Sequence, residues 1–294
     1  MEERTDHLTP PRRLAGGDAG AAVLLVVLGL AVLGLSACQR GDDPPPAEPP
    51  PPLQRLHVIF PEGFTRREMA DRVDAVRRIA IEKRDVTPRL TRIGYLAATA
   101  AAVPPPAFRK DWARGSSEGF LFPATYEFTK LTTARKLVRD QLAHFRRQWR
   151  KVDLRYARSK NLTPYDVLII ASMVEKETVA PEERRLVAAV IYNRLRLGMP
   201  LGIDATIRYG RNVPGTEPLK VSDLESSSPY NTRKRTGLPP TPISNPGLAS
   251  IRAAAHPARV DHLYFVRKPD GVHHFFTASE AEFFRRKCAY GFGC

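Results

Sequence analysis

The chain has 294 residues, of which 43% are hydrophobic and 26% charged, and its 46 Lys and Arg against 31 Asp and Glu give a net charge of +15. This composition excludes a wholly disordered chain and a protein built from many membrane spans. Three cysteines are too few for a disulfide scaffold, and no Cys/His cluster has zinc spacing, so we predict neither a metal site nor a cofactor. The charge indicates an anionic partner: nucleic acid, an anionic membrane or an acidic cell-wall polymer.

The N-terminal segment has the layout of a secretory signal. A pair of arginines precedes an uncharged run from residue 20 to residue 38, which ends in small residues. Such a run is also about long enough to span a bilayer, which takes ~20 residues. Its last four residues, LSAC, resemble the bacterial lipobox, in which the cysteine is lipidated. We predict a signal or membrane anchor at residues 1–38. A lipoprotein modified at Cys38 and an uncleaved single-span anchor both fit the pattern.

Residues 39–54 form the predicted linker. Its central stretch, DDPPPAEPPPP, cannot form a helix or a central strand, because proline lacks a backbone N–H and fixes φ. We expect an extended polyproline spacer that rises ~3 Å per residue. The folded domain would then be held outside the bacterial inner membrane, on its extracytoplasmic side, which argues against a nucleic-acid partner.

The folded region is predicted to begin with a small strand and helix module. Residues 56–60 (LHVIF) have the composition of a strand, and a Pro-Glu-Gly turn follows them. Thr65 is a fair N-cap with Glu68 at the capping-box position, so a helix is expected next. Residues 88–114 indicate one further helix and then a loop.

The clearest helix start in the sequence lies at Thr163. Threonine is a good cap, Pro164 suits the first helical position, and Asp166 stands at the capping-box position. The helix is predicted to continue through VLIIASMVEKET. A second helix follows directly, between residues 181 and 198, and its apolar face indicates a scaffold role.

One carboxyl group on the first of these helices has an unusual predicted environment. On a helical wheel Glu177 extends the buried stripe, whereas Glu175 lies toward the flank. Burial and the C-terminal end of a helix both disfavour an anion, so we expect a raised pKa for Glu177. A carboxyl group that is protonated near neutral pH suits general-acid catalysis. The alternative is a partly exposed glutamate in a Glu-Lys-Glu surface run.

Residues 198–247 are predicted to be irregular, since they are rich in Gly, Pro, Asn, Thr and Ser and contain few apolar runs. Such a long irregular stretch inside a domain is usually functional or disordered. Its Tyr, Asn, Thr and Asp side chains offer ring faces and hydrogen-bonding groups that suit sugars. An ordinary surface loop is the alternative.

The C-terminal part is predicted to contain a β-hairpin. Strand-like runs at 263–266 and 272–276 flank the turn sequence Lys-Pro-Asp-Gly. His273 and His274 lie in the second run without a third ligand at suitable spacing, so we expect strand packing or hydrogen bonding rather than metal binding. Further on, Cys288 and Cys294 could pair in an oxidising compartment or stay reduced.

Taken together, these segments resemble the endolytic murein transglycosylases, the YceG-like (MltG) family. The resemblance rests on an ordered set of motifs, beginning with EGFLFPATY at 118–126, ASMVEKET at 171–178 and VIYNRLRLGM at 190–199. The motifs DATIRYG, SPYNT, GLPP, NPG and AAAHP follow in that order. It covers roughly residues 56–290.

The resemblance implies an α+β fold behind an N-terminal membrane anchor. A small LysM-like strand–helix module with a connecting helix would occupy residues 55–114, and a mixed helical and β catalytic domain ending in a β-hairpin would occupy residues 115–294. The implied activity is cleavage of the bond between N-acetylmuramic acid and N-acetylglucosamine inside peptidoglycan strands, without water. This would limit strand length during wall synthesis, beside peptidoglycan synthases.

The same resemblance assigns roles to side chains. Glu177, followed by Thr178, would protonate the bridging oxygen and then act as base on the muramyl 6-hydroxyl, which closes a 1,6-anhydro ring. Seven further side chains would bind the glycan strand: Glu118, Asp204, Thr206, Tyr209, Tyr230, Asn231 and Thr232.

Three other functions stay open from the sequence. Ala124 and Gly202 stand where the family usually has Asp and Gln, which fits a glycan-binding scaffold that has lost catalysis. A hydrolytic muramidase would produce reducing ends instead of anhydro ends. Nucleic-acid binding is suggested by the net charge alone and is disfavoured by the export signal.

Overall fold

The computed structural model describes residues 52–112 and 116–293. The predicted anchor with Cys38, and the linker up to residue 51, lie outside these residues, so both stay predictions. Within the described part, none of the helices has the length and apolar character needed to cross a bilayer. Residues 51–294 group into one compact unit, and its secondary structure is mixed α and β, as predicted.

The first part of this unit is a strand–helix–helix–strand arrangement. It consists of β1 (Leu56–Ile59), α1 (Arg66–Arg84), α2 (Arg92–Ala100) and β2 (Thr125–Phe128). The two strands pair in antiparallel fashion, with Leu56 opposite Phe128. This pairing joins the predicted module 55–114 to residues of the predicted catalytic domain, and the division at residue 114 stays a prediction about sequence modules.

The predicted start of α1 is confirmed. The Thr65 hydroxyl accepts a hydrogen bond from the backbone N–H of Glu68, and the Glu68 carboxylate accepts one from the N–H of Thr65 at 2.6 Å. Met69 and Val73 from this helix are buried in the core. The Pro-Glu-Gly turn ahead of the helix includes Gly63, whose φ of 78° lies in the left-handed region that favours glycine.

The centre of the unit is a buried helix surrounded by other helices. α3 (Ala134–Trp149) and the short α4 (Arg155–Ser159) precede this helix, α5 (Pro164–Glu177), and α6 (Arg184–Arg196) follows it. Apolar side chains of α5 are fully enclosed, among them Val167, Leu168, Ile170, Met173 and Val174. α5 packs chiefly against α9 (Leu248–Ala255) and against α6.

The predicted cap of α5 is also confirmed, and it allows a test of local stability. Thr163 and Asp166 form a complete capping box. Thr163→Ala is expected to lower the free energy of unfolding by about 1 kcal/mol, because the backbone N–H of Asp166 in the first turn loses its hydroxyl acceptor. Thermal unfolding followed by circular dichroism measures this loss. Thr163→Ser keeps the hydroxyl and should retain most of the stability; equal losses for both variants would show that the cap contributes little.

The prediction that residues 198–247 are irregular throughout was wrong in two places. α7 (Asp204–Arg211) and α8 (Val221–Leu224) are short helices within this stretch. Long-range contacts that the local sequence does not predict stabilise α7. Ile207 is buried in the fold, and the Thr206 hydroxyl bonds to that of Thr232, which is far along the chain. The rest of the stretch up to α9 is irregular, as expected.

The C-terminal hairpin is confirmed. β3 (Tyr264–Arg267) pairs in antiparallel fashion with β4 (His274–Thr277), and α10 (Glu280–Ala289) follows. His274 is buried and its Nδ1 lies 2.7 Å from a carboxylate oxygen of buried Glu183, so hydrogen bonding explains its position. Among residues 52–112 and 116–293 there is no cluster of three or more potential metal ligands. Cys288 is disulfide-bonded, and Cys294 lies outside the described residues.

Candidate active site

Glu177 is the last residue of α5, at the point where the N-terminus of α7 meets it. The backbone N–H of Ala205, in the first turn of α7, lies near its carboxylate and stabilises the charged form. Neighbouring atoms enclose most of the side chain, but part of it remains open to solvent. An enclosed carboxyl group with one accessible side is suited to proton exchange with a bound molecule.

The surroundings of Glu177 hold its carboxyl group near half-protonation at neutral pH. Burial and, to a smaller extent, the nearby charge of Asp204 raise its pKa to about 7. Arg267, the N–H of Ala205 and Arg208 act in the opposite direction. A carboxyl group with this pKa can both give and accept a proton without a large penalty in either step. The raised pKa agrees with the expectation from the helical wheel.

Glu175, the other candidate on this helix, makes a hydrogen bond to a neighbouring loop. Its carboxylate accepts a hydrogen bond from the backbone N–H of Gly247 at 3.0 Å. A Cβ atom added at Gly63 would lie 3.4 Å from the Glu175 side chain, so the turn before α1 packs closely on it. Burial and the charge of Glu175 together raise the pKa of Glu62 in the same turn. Glu175 therefore joins the end of α5 to the loop before α9.

Asp204 begins α7 and forms a two-point ion pair with Arg233. The distances from its carboxylate oxygens to the guanidinium Nε and Nη2 are 2.7 and 3.0 Å. Both side chains are close to half exposed, so solvent screens the pair. The charge on Asp204 nevertheless acts on Glu177.

This arrangement predicts that two substitutions, each of which replaces a charged side chain by a neutral one, shift the pKa of Glu177 in opposite directions. Asp204→Asn removes the negative charge and is expected to lower the pKa of Glu177 by roughly 0.5 unit, since a partly exposed charge is screened. Arg233→Gln leaves Asp204 without its cation and should raise the same pKa. NMR titration of the labelled glutamate carboxyl carbons measures both, with Glu177→Gln assigning the resonance. Shifts of the same sign would contradict the arrangement.

Glu118 lies beneath the surface, with 3% of the residue exposed. One carboxylate oxygen accepts hydrogen bonds from the backbone N–H of Arg66, at 2.9 Å, and from the Asn245 side chain, at 2.7 Å. The other accepts one from the Tyr209 hydroxyl at 3.2 Å. Burial raises the pKa of Glu118 to about 7, although these donors act to lower it. Glu118 thus ties the start of α1, the loop before α9 and helix α7 together.

Three of the predicted glycan-binding residues are buried and hydrogen-bonded within the protein. The hydroxyl groups of Thr206 and Thr232 lie 2.9 Å apart, and the Thr232 hydroxyl accepts the backbone N–H of Ile203. The Asn231 side-chain amide donates to the carbonyl oxygens of Leu224 and Ser226, both at 2.8 Å. These contacts shape the loops around α7. A role for the three residues in binding the glycan strand stays a prediction.

The two predicted tyrosines form a pair beside α7. The rings of Tyr209 and Tyr230 are 5.2 Å apart in an edge-to-face arrangement. The Tyr230 hydroxyl lies 2.8 Å from the hydroxyl of Thr241. A Cβ atom at Gly210 would lie 2.6 Å from Cβ of Tyr230, so a glycine is needed for this close packing.

The sequence did not single out several residues of this region as functional. Asn245 is buried and accepts the N–H of Leu121 while it donates to Glu118; its Asn-Pro-Gly motif was the signal that could have identified it. The Thr178 hydroxyl is buried, and no hydrogen-bond partner for it exists among the described residues. Arg208 lies within the DATIRYG motif, whereas Arg233 and Arg267 lacked any local signal, because they reach this region through long-range packing.

Comparisons with known proteins find a matching family profile and a related crystal structure. The sequence profile of the YceG-like family matches residues 47–288. The crystal structure of a YceG-like protein from Listeria monocytogenes matches with a TM-score of 0.63 and 27% identity, over 78% of this chain and 75% of that one.

Two curated relatives match over a shorter region. The chain is 40% identical over 161 residues to an endolytic murein transglycosylase of Streptococcus pneumoniae strain R6. It is 37% identical over 154 residues to an endolytic murein transglycosylase of Bacillus subtilis. The matches span 52% of this chain in both cases, but only 28% and 42% of those two proteins. Because the family profile covers most of the folded region, the chain belongs to the YceG-like family.

Proposed function

We propose that this protein is an endolytic lytic transglycosylase, which cleaves peptidoglycan strands between N-acetylmuramic acid and N-acetylglucosamine. Two relatives that match about half of the chain carry the name endolytic murein transglycosylase. The observation that carries the proposal is the Glu177 carboxyl group, which is largely enclosed and has a pKa raised to about 7.

In the proposed mechanism, Glu177 acts twice in one turnover. The protonated carboxyl group first gives its proton to the bridging oxygen as the bond from this oxygen to the muramyl C1 breaks, and the N-acetylglucosamine side leaves as an alcohol. The resulting carboxylate then takes the proton of the muramyl 6-hydroxyl while O6 bonds to C1. This closes the 1,6-anhydro ring and restores the protonated Glu177, so no water is consumed.

The environment of Glu177 supports both steps. Burial favours the neutral acid that the first step needs, while Arg267, Arg208 and the N–H of Ala205 stabilise the carboxylate formed after it. The Thr178 hydroxyl lacks a partner among the described residues and lies next in sequence to Glu177.

A hydrolytic muramidase is the second candidate, because Asp204 is a second carboxylate that acts electrostatically on Glu177. Hydrolytic glycosidases usually need such a pair. However, Asp204 is held in a two-point ion pair with Arg233, which makes it a poor nucleophile or base. We therefore favour the transglycosylase.

Product analysis tests the proposal. The protein is incubated with uncrosslinked glycan strands and the new ends are identified by mass spectrometry. Internal cleavage with 1,6-anhydro-muramyl ends, lighter by one water than reducing ends, is expected. Reducing ends would favour the muramidase, and intact strands with retained glycan binding would favour a non-catalytic scaffold.

We further propose attachment to the bacterial inner membrane with the folded unit on its extracytoplasmic side. The apolar run at residues 20–38 and its lipobox-like end support this. The mass of the membrane-extracted chain distinguishes the two possible forms of the anchor: lipidation at Cys38 with loss of the preceding residues, or an intact chain.

Peptidoglycan synthases are proposed partners, and crosslinking in cells that fails to recover any synthase would count against them.

A further inference from the structure

The positive charge of the chain is concentrated in one segment. Between residues 134 and 160 there are ten Lys and Arg and two Asp, which gives +8 out of the net +15 of the whole chain. All ten cationic side chains are exposed. The charge is therefore a local property of α3 and α4 and not an even coating of the surface.

Helix α3 separates its charged and apolar side chains onto opposite faces. Its buried side includes Leu137, Val138 and Phe145. Its exposed side carries six cations at helical spacing, which we call the α3 basic face: Arg135, Lys136, Arg139, Arg146, Arg147 and Arg150. With 16 residues the helix is about 24 Å long, so the face is a straight cationic surface of that length.

The arginines of the α3 basic face are not neutralised within the described part of the chain. Lys136 pairs with Asp140 at 2.7 Å, whereas the five arginines make no ion pair with any residue in 52–112 or 116–293. A cluster of unpaired like charges repels itself, which costs stability unless an anionic partner offsets it. The face therefore has the character of an interaction surface.

Helix α3 begins close to the strands that follow the linker. Leu56, in the first strand, pairs with Phe128 at the end of β2, and the N-cap of α3 is Thr133. Arg55 adds a further cation just before the first strand, where it contacts Glu127 at 3.3 Å.

We propose that the α3 basic face docks on the surface of a bilayer rich in anionic phospholipid. The inference rests on the proposed membrane attachment, which selects lipid headgroups over other polyanions. A straight, exposed helix face with cations along its whole length matches a planar layer of phosphate groups. Each Lys or Arg held near such a surface strengthens binding, and salt weakens the attraction.

Helix α3 packs near the end of α5 that is farther from the candidate active site. Phe145 of α3 packs on Phe120, and Phe120 stacks on Tyr165 near the start of α5. Glu177 is at the other end of α5, about 18 Å farther along the helix axis. The α3 basic face and Glu177 therefore belong to different parts of the folded unit.

Vesicle sedimentation tests the proposal without the anchor. Residues 52–294, whose described part forms one compact unit with its own core, are mixed with vesicles of phosphatidylcholine alone or with a quarter of phosphatidylglycerol. Circular dichroism and thermal unfolding first establish that each variant is folded. We expect binding only to the anionic vesicles, with loss of binding at high salt.

A matched pair of triple variants locates the binding surface. Arg139→Glu, Arg146→Glu and Arg150→Glu together should lower the vesicle partition coefficient by about 100-fold. The same charge change at exposed residues outside α3 and α4, through Arg196→Glu, Arg259→Glu and Arg285→Glu, should lower it far less. A milder triple change of the α3 arginines to Gln should give an intermediate loss and guards against misfolding.

Several outcomes would overturn the proposal. Equal losses for the two Glu triples would mean that net charge, and not the α3 basic face, drives binding. Equal binding to both vesicle types would exclude the electrostatic mechanism. DNA or polyphosphate could also displace the protein from the vesicles. If this happened at a phosphate concentration below that of the lipid phosphate, the face would be assigned to a soluble polymer. The α3 triple should cleave soluble glycan strands at the wild-type rate, so a failure of docking is distinct from a failure of the proposed activity.

Discussion

Replacing Glu177 with Gln is expected to lower the rate of anhydro-muramyl end formation by about 10³-fold, within the range that general acid–base catalysis supplies. Gln has nearly the same shape and a side-chain oxygen that can still lie near the Ala205 N–H, so the local structure should persist. It cannot give a proton to the bridging oxygen or take one from the 6-hydroxyl. Initial rates measured by mass spectrometry at one substrate concentration below saturation report this loss.

Glu175→Gln is the matched control, since it makes the same chemical change two positions earlier on the same helix. Its side-chain oxygen can still accept the Gly247 N–H seen in the structure, so activity should stay within a few-fold of wild type. Loss of activity in Glu175→Gln with retention in Glu177→Gln would reverse the assignment of the two residues. Glycan binding by both variants should match wild type.

The pH dependence of the wild-type rate gives an independent check on Glu177. The reaction must begin with the neutral acid, and the pKa of Glu177 is raised to about 7. The rate is therefore expected to fall as the pH rises through about 7, instead of falling near the ordinary glutamate value. A profile that is flat between pH 5 and pH 9 would contradict this role.

Features that depend on neighbouring residues could be predicted from the sequence. The capping boxes at Thr65 and Thr163 follow from three-residue spacings, and both are present. The position of Glu177 follows from the apolar stripe of its helix, because helical geometry alone decides which side faces the core. Its raised pKa was predictable for the same reason.

Features that depend on distant residues were not predictable. Glu118 was identified only through a family motif, and its three partners stand on separate elements of the fold. The separations of 52 residues to Arg66 and 127 to Asn245 leave no periodic signal in the sequence. Helix α7 was missed for a similar reason, since contacts with Thr232 support it from 26 to 29 residues away.

Glu118→Ala is expected to lower the free energy of unfolding by about 4 kcal/mol. The substitution leaves three buried or partly buried donors without an acceptor, namely the Arg66 N–H, the Asn245 amide and the Tyr209 hydroxyl, and each such loss costs about 1–3 kcal/mol. Urea unfolding followed by tryptophan fluorescence measures it. Glu118→Gln retains an acceptor for the first two donors and can donate to the tyrosine oxygen, so it should lose less than half as much.

A comparison of wild type with Glu118→Gln also separates the effect of burying a titratable group from the effect of losing hydrogen bonds. The pKa of Glu118 is raised from 4.5 to about 7 in the folded protein, so the folded state holds a proton that the unfolded state releases between these values. This contribution to stability is present below pH 4.5 and is lost as the pH rises to about 7, with a total of about 3 kcal/mol.

Glu118→Gln cannot titrate, so its unfolding free energy should depend less on pH than that of wild type across the same window. Glu177 titrates in this window in both proteins, and the difference between them therefore isolates Glu118. Equal pH dependence in the two proteins would mean that Glu118 stays ionised and that its donors outweigh its burial. In that case Glu118→Gln should be clearly less stable than wild type at every pH above 5, because a charged acceptor would have been replaced by a neutral one.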